Sequence, residues 1–248
     1  MSDASNIPKT KSVNEKTSPI TGYGGLASFF VAIAAFLFPQ LVAGLGLSIY
    51  TSAGNSFSQK NIMQYFVLDL SIEILTLATL AMFLRRHKKS IKDLLGTLKD
   101  KVQLFWVPLT FIVYLMSVTI AYTIVQTITK SVDLNQEQDN AFKAAASHPQ
   151  IALAFVALVV VTPIVEEMVF RGFLYRGLRS SIGKVGAAII ASLLFGFAHG
   201  QINVGIDTFI LSLFLIALLE KTNSLIPSIL LHAIKNFFAF LIIFSGRF

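Results

Sequence analysis

The sequence predicts an all-α fold, a polytopic bundle of transmembrane helices, and three observations carry that expectation. Hydrophobic residues make up 54% of the 248 residues and charged residues only 13%, a balance outside the soluble globular range. Apolar runs of about 18 residues or more recur along the chain, each long enough to cross a hydrocarbon core of ~30 Å. Lysines and arginines gather between those runs rather than along one face. The net charge of +7 therefore reads as membrane topology and not as a nucleic-acid surface. The absence of cysteine excludes disulfides and thiolate metal sites.

About seven spans follow in order. The first 23 residues are polar and read as a disordered cytosolic tail ahead of an uncleaved signal-anchor helix. Helix one covers about Leu26–Tyr50, kinked or interrupted near Pro39-Gln40. Helix two covers about Met63–Leu84 and helix three about Gln103–Ile128. The outer segment Asp133–Gln150, polar first and Ala-rich later, reads equally as a surface helix or lid and as a plain connection. Helix four starts near Pro149 and runs towards Arg179; helix five covers about Lys184–Gln201. Helix six covers about Val204–Leu219 and helix seven about Ser224–Phe244, capped by Asn223 or Ser224 with Pro227 in its first turn.

Positive charge sets the orientation. With the amino terminus inside, fourteen lysines and arginines fall on inner segments, from Lys9 through the Arg85–Lys101 cluster to Lys221. Four fall outside, namely Lys60, Lys130, Lys143 and Arg247. That asymmetry favours an inside amino terminus, and an odd number of spans then puts the carboxyl terminus outside. Residues 24–248 read as a single membrane-embedded domain, with about 149–244 carrying the chemistry.

Within the fourth span, Glu166, Glu167 and Arg171 interrupt a run that is otherwise apolar from Ile151 to Phe170. Each charge in hydrocarbon costs roughly 2.5–3.5 kcal/mol on insertion scales, so three of them need a purpose. Helices four and five form a hairpin that turns near Ser181–Gly183. Glu166 and His199 lie about 16 residues on either side of it, about 24 Å along each helix, which sets them at one depth. A carboxylate facing an imidazole is what general-base activation of water requires.

His232 and Asn236 share one face of helix seven, counted somewhat nearer the cytosol than Glu166, and two donors at one spot suit an oxyanion. Glu167 and Arg171 are four apart in the favourable order for a helical ion pair, so they read as a structural anchor. Pro163 removes a backbone hydrogen bond three residues before Glu166 and is placed to kink the helix. Asp69 and Glu73 on helix two, and Asp207 at the start of helix six, are expected to pair with Lys235 or polar neighbours, with a proton or ion pathway as the alternative.

The segments Glu166-Glu167-x-x-x-Arg171, Phe195-x-x-x-His199 and His232-x-x-x-Asn236 resemble the three motifs of the CPBP family, the CAAX-protease and bacteriocin-processing (Abi) group. The resemblance covers about Ile151–Phe240. It implies an intramembrane endopeptidase in which Glu166 activates water, His199 assists, His232 and Asn236 form the oxyanion hole, and Glu167, Arg171 and Phe195 shape the site. The family is often labelled metallo-, and Glu166, His199 and His232 form a possible zinc set. The chain lacks the His-Glu-x-x-His helix, so water activation without a metal is the expectation.

Size and simple layout suit the bacterial branch, in a multi-pass plasma-membrane setting. The implied partners are membrane lipids and a peptide or membrane-associated protein substrate: a bacteriocin or signalling peptide, or self-immunity, rather than a prenylated CAAX protein. The competing expectation is a non-enzymatic immunity protein that binds with the same cavity. A transporter is the third class, disfavoured by the lack of an inverted repeat.

Overall fold

The computed structural model describes residues 17–58, 61–129, 134 and 141–245. Six stretches in it are long and apolar enough to cross a membrane. They are α1 (Gly25–Ser52), α2 (Ile62–Arg85), the stretch Gln103–Ile128 that includes α4 (Trp106–Ile128), the segment His148–Phe197, α8 (Ile202–Thr222) and α9 (Ile226–Ile243). A short helix α3 (Ile91–Leu95) lies in the connection between α2 and α4.

The 50-residue segment His148–Phe197 is the hairpin expected as helices four and five. It comprises α5 (His148–Phe155), a π-helical turn (Val156–Val161), α6 (Thr162–Glu166), a second π-helical stretch (Glu167–Tyr175) and α7 (Arg176–Phe197). Gly183 breaks α7 with φ 78° and ψ 176°, a conformation essentially confined to glycine. Contact of the Phe170 and Phe195 rings, centroids 5.0 Å apart, shows the two limbs folded back on each other. The second limb, residues 184–197, is short, at roughly 1.5 Å per residue about 21 Å.

Helix five was expected to reach Gln201; it ends at Phe197. Gly200 adopts a left-handed φ of 70° just past that end, the usual way a helix is closed. His199 therefore sits in the closing turn and not on the helix. Asn223, a candidate cap for the last helix, instead closes α8 in the left-handed conformation, while the Ser224 hydroxyl accepts from the Ile226 amide at the start of α9. Helix α1 runs unbroken through Pro39.

Residues 1–16, most of the expected tail, lie outside the described residues. Residues 17–23 are packed: Ser18 and Thr21 are buried, and the Tyr23 hydroxyl donates to the Phe83 carbonyl. Tyr23 also sits edge-on to His87, so aromatic packing at the end of α2 fixes this stretch. Of the outer segment 133–150, Leu134 and residues from 141 on are described. Residues Ala141–Ala144 form a 3-10 turn whose Phe142 is buried against Tyr65, and Ser147 with Gln150 forms a capping box that starts α5.

The bend of the hairpin is tied down at its own end of the bundle. Arg179 and Lys184 both pair with Glu220 on α8, at 3.0 and 2.7 Å. Arg176 donates to the Leu94 carbonyl of α3. Helix α4 lies at the rim, with Ile112, Met116, Ile120 and Ile124 exposed, as a lipid-facing helix requires. The largest buried cluster surrounds the second π stretch, with Phe170, Phe173 and Tyr175 packed against α1, α2 and α7. The polar site lies beside it.

Candidate active site

Glu166 stands at the junction of α6 and the second π stretch. A π turn accommodates an extra residue per turn and is found mostly at functional sites. Two of them flank the five residues of α6, and Pro163, which has no amide hydrogen to donate, occupies the first turn between them. The Thr162 amide reaches back five residues to the Ala157 carbonyl. The kink expected from Pro163 is thus realised as a change of helical register on both sides of Glu166.

The adjacent carboxylates part company. Glu167 is fully buried and accepts from Arg171 Nη1 at 2.8 Å, the expected four-residue pair. It also meets His232 Nδ1 of α9 at 3.0 Å through the same oxygen. Glu166, partly exposed at 21%, faces the other ring nitrogen, with His232 Nε2 3.6 Å from its Oε2. His232 is therefore held between the two acids. A carboxylate can only accept, so Glu167 draws the proton to Nδ1 and leaves Nε2 turned towards Glu166.

Phe195 is the apolar partner shared by this set. Its ring is fully buried and lies 4.1 Å below the Arg171 guanidinium. It meets His199 edge-on at 5.0 Å and His232 at 5.8 Å. His199 Nδ1 lies 2.8 Å from the Phe195 carbonyl, which can only accept, so Nδ1 carries the proton and Nε2 is its free end. No hydrogen bond or ion pair joins His199 to Glu166 among the described residues; the imidazole facing Glu166 is that of His232.

Asn236 points elsewhere than its neighbour one turn away. Its Nδ2 donates to the Leu158 carbonyl in the first π turn at 2.9 Å, which satisfies a backbone oxygen in the irregular region and leaves one amide hydrogen free. Lys235, between them, pairs with Asp207 of α8 at 3.2 Å, and the Tyr114 hydroxyl of α4 donates to the same carboxylate. The expected partner of Asp207 was among those named from sequence; Tyr114 was not. Aromatic spacing gave no sign of it.

A cavity of about 410 Å³ opens beside Glu166 between α1, α2 and the first limb of the hairpin. Phe36, Gln40 and Leu47 line it from α1, Asp69 and Glu73 from α2, and Val165, Glu166 and Phe170 from the hairpin. Glu73 accepts from the Thr162 hydroxyl at 3.4 Å, which joins α2 to the turn that carries Glu166. Sequence reasoning had no means of placing α1 or α2 here.

Among the described residues, no three His, Cys, Asp or Glu side chains converge to hold an ion. Of the Glu166, His199 and His232 set, His232 Nδ1 is tied to Glu167 and His199 Nδ1 to a backbone carbonyl, which leaves the two Nε2 atoms and the Glu166 carboxylate as the donors not held by those bonds.

What fold and site define together is a polytopic helical membrane protein with a polar constellation at the fold of an irregular hairpin. Residues 148–238 match the family model described as type II CAAX prenyl endopeptidase Rce1-like, and this segment is similar to that family, consistent with the CPBP resemblance. No curated protein and no solved structure matches the chain. The matched segment contains every motif residue from Glu166 to Asn236, while α1 and α2, which complete the cavity, lie outside it.

Proposed function

We propose that the protein is an intramembrane endopeptidase in which Glu166 is the general base. The observation that carries this reading is the position of Glu166: it lines the cavity and at the same time faces His232 Nε2. Glu166 takes a proton from water as the water oxygen attacks the scissile carbonyl carbon, and the carbonyl electron pair moves onto its oxygen. The free Nε2 of His199 accepts from the same water and orients it. The second amide hydrogen of Asn236 donates to the developing oxyanion, while His232, with its proton on Nδ1 held by Glu167, turns Nε2 to Glu166 and accepts a hydrogen bond from the proton that Glu166 has taken up. As the carbon–nitrogen bond breaks, Glu166 returns its proton to the leaving nitrogen.

Glu166→Gln keeps the shape and removes the base. Cleavage is expected to fall by roughly 10²–10⁴-fold, the usual contribution of general-base catalysis, while abundance in the membrane stays constant. Undiminished cleavage by the Gln variant refutes the role of Glu166. A chelator that abolishes activity, with recovery on adding zinc, refutes water activation without a metal. In this reading the protein processes a bacteriocin or signalling peptide at a bacterial plasma membrane, or confers self-immunity. Comparing the peptides of cells that carry the wild-type protein with those of cells that carry the Glu166→Gln protein identifies the substrate.

A further inference from the structure

The proposed reaction leaves two carboxyls of the cavity unused. Asp69 and Glu73 stand one turn apart on α2 and line the same cavity as Glu166. Glu73 has the Thr162 hydroxyl as its partner, and Asp69 has no hydrogen bond or ion pair among the described residues. Among the described residues no lysine or arginine lines the cavity. Acids at hydrocarbon depth are costly, rarely left without a counter-charge, and mark function where they face a cavity. The remaining walls are largely apolar, including Phe36, Leu47 and Phe170.

We propose that this cavity selects peptides carrying a lysine or arginine near the scissile bond, with Asp69 and Glu73 as the specificity-determining residues. The inference rests on the reading of Glu166 as the base. The chemistry is complementary in both halves of the side chain. An aliphatic stem lies against apolar walls while its cationic head reaches the acids, the way such side chains divide themselves between oil and charge. The volume of about 410 Å³ is that of a site for a small ligand, enough for one long side chain and its flanking backbone.

The register can be read as well. Glu73 touches Thr162, which is four residues, about 6 Å along the helix, from Glu166. An extended peptide advances roughly 3.3 Å per residue, so the basic side chain belongs about two residues from the bond cleaved. Asp69, one turn nearer the start of α2, catches the end of a longer side chain.

Binding tests this without a known substrate. The Glu166→Gln protein in nanodiscs is titrated with acetyl-Leu-Lys-Leu-Leu-amide and with the same peptide carrying norleucine for lysine. The lysine peptide is expected to bind at least tenfold more tightly. Adding Asp69→Asn and Glu73→Gln abolishes that ratio while affinity for the norleucine peptide and the melting temperature hold. Equal affinities, a ratio that survives both substitutions, or no binding of either peptide overturns the proposal. Cleavage by the wild type separates the two readings. Glu166-dependent hydrolysis indifferent to charge keeps the peptidase and removes this selectivity; charge-selective binding with hydrolysis that ignores Glu166→Gln does the reverse.

Discussion

Replacing Arg171 by Met removes a cation that is wholly enclosed. Its Nη1 holds Glu167 at 2.8 Å, its guanidinium lies on the Phe195 ring, and both charged side chains are fully buried. Stranding a buried carboxylate costs about 3–5 kcal/mol. Losing a desolvated cation–π contact adds ~1–2 kcal/mol. The sum, of the order of 5 kcal/mol, is tempered by the second hydrogen bond that Glu167 keeps from His232. Arg171 Nε and Nη2 and Glu167 Oε2 have no protein partner among the described residues, so neither side chain has an alternative to fall back on. Glu167→Gln added to Arg171→Met neutralises both members yet retains an oxygen to accept from His232 Nδ1. The double variant is expected within about 2 kcal/mol of the parent, because an apolar or neutral replacement of a buried pair is often nearly neutral. A double-mutant cycle on reversible unfolding in mixed micelles measures the coupling, expected at about 3 kcal/mol or more. A cost below about 1 kcal/mol for Arg171→Met, or strict additivity in the cycle, refutes the account of this pair.

Two further outcomes follow from particular contacts. Gly183→Ala, at φ 78°, is expected to destabilise by about 1–3 kcal/mol, read by the same unfolding transition. Asn236→Leu breaks the bond to the Leu158 carbonyl and is expected to cost about 0.6–1.7 kcal/mol of stability, the range found for hydrogen bonds between helices in membranes. If the amide also serves the oxyanion, its cleavage rate falls by about 10²-fold in the fraction that remains folded.

Much of the fold was legible because hydrocarbon thickness, an apolar run and a basic flank are all linear in sequence. The spans agree within a few residues, and the hairpin bend at Gly183 fell where it was expected. So did the Glu167–Arg171 pair, since four residues along a helix fix both partners. What was not legible depends on contacts between helices. Depth counted at 1.5 Å per residue matched Glu166 to His199 and set His232 nearer the cytosol. The imidazole facing Glu166 is His232. Counting assumed a regular α-helix, and nine residues between Glu166 and the bend are π-helical, which rise less per residue. Glu166 consequently lies closer to the bend than its number suggests. The α1 and α2 walls of the cavity, and Tyr114 behind Asp207, carry no local pattern that could have announced them.

The irregular hairpin accounts for how neighbouring acids take different roles. On a regular α-helix, residues 166 and 167 diverge by about 100°, so each would meet a different surface. Here His232 reaches both, one ring nitrogen to each, at the point where α6 gives way to the π stretch. The extra residue in the turn shifts Glu166 towards the cavity while Glu167 stays locked on Arg171 above the Phe195 ring. Asn236 then binds the first π turn through Leu158, so α9 grips the hairpin on both sides of α6. A rotation of α9 would break both attachments together. Helix α9 is held against that rotation from its other face by Lys235 on Asp207, itself fixed by Tyr114. The motif spacing His232-x-x-x-Asn236 thus has a mechanical reason beside its chemical one: one turn of α9 spans the two register shifts that expose Glu166.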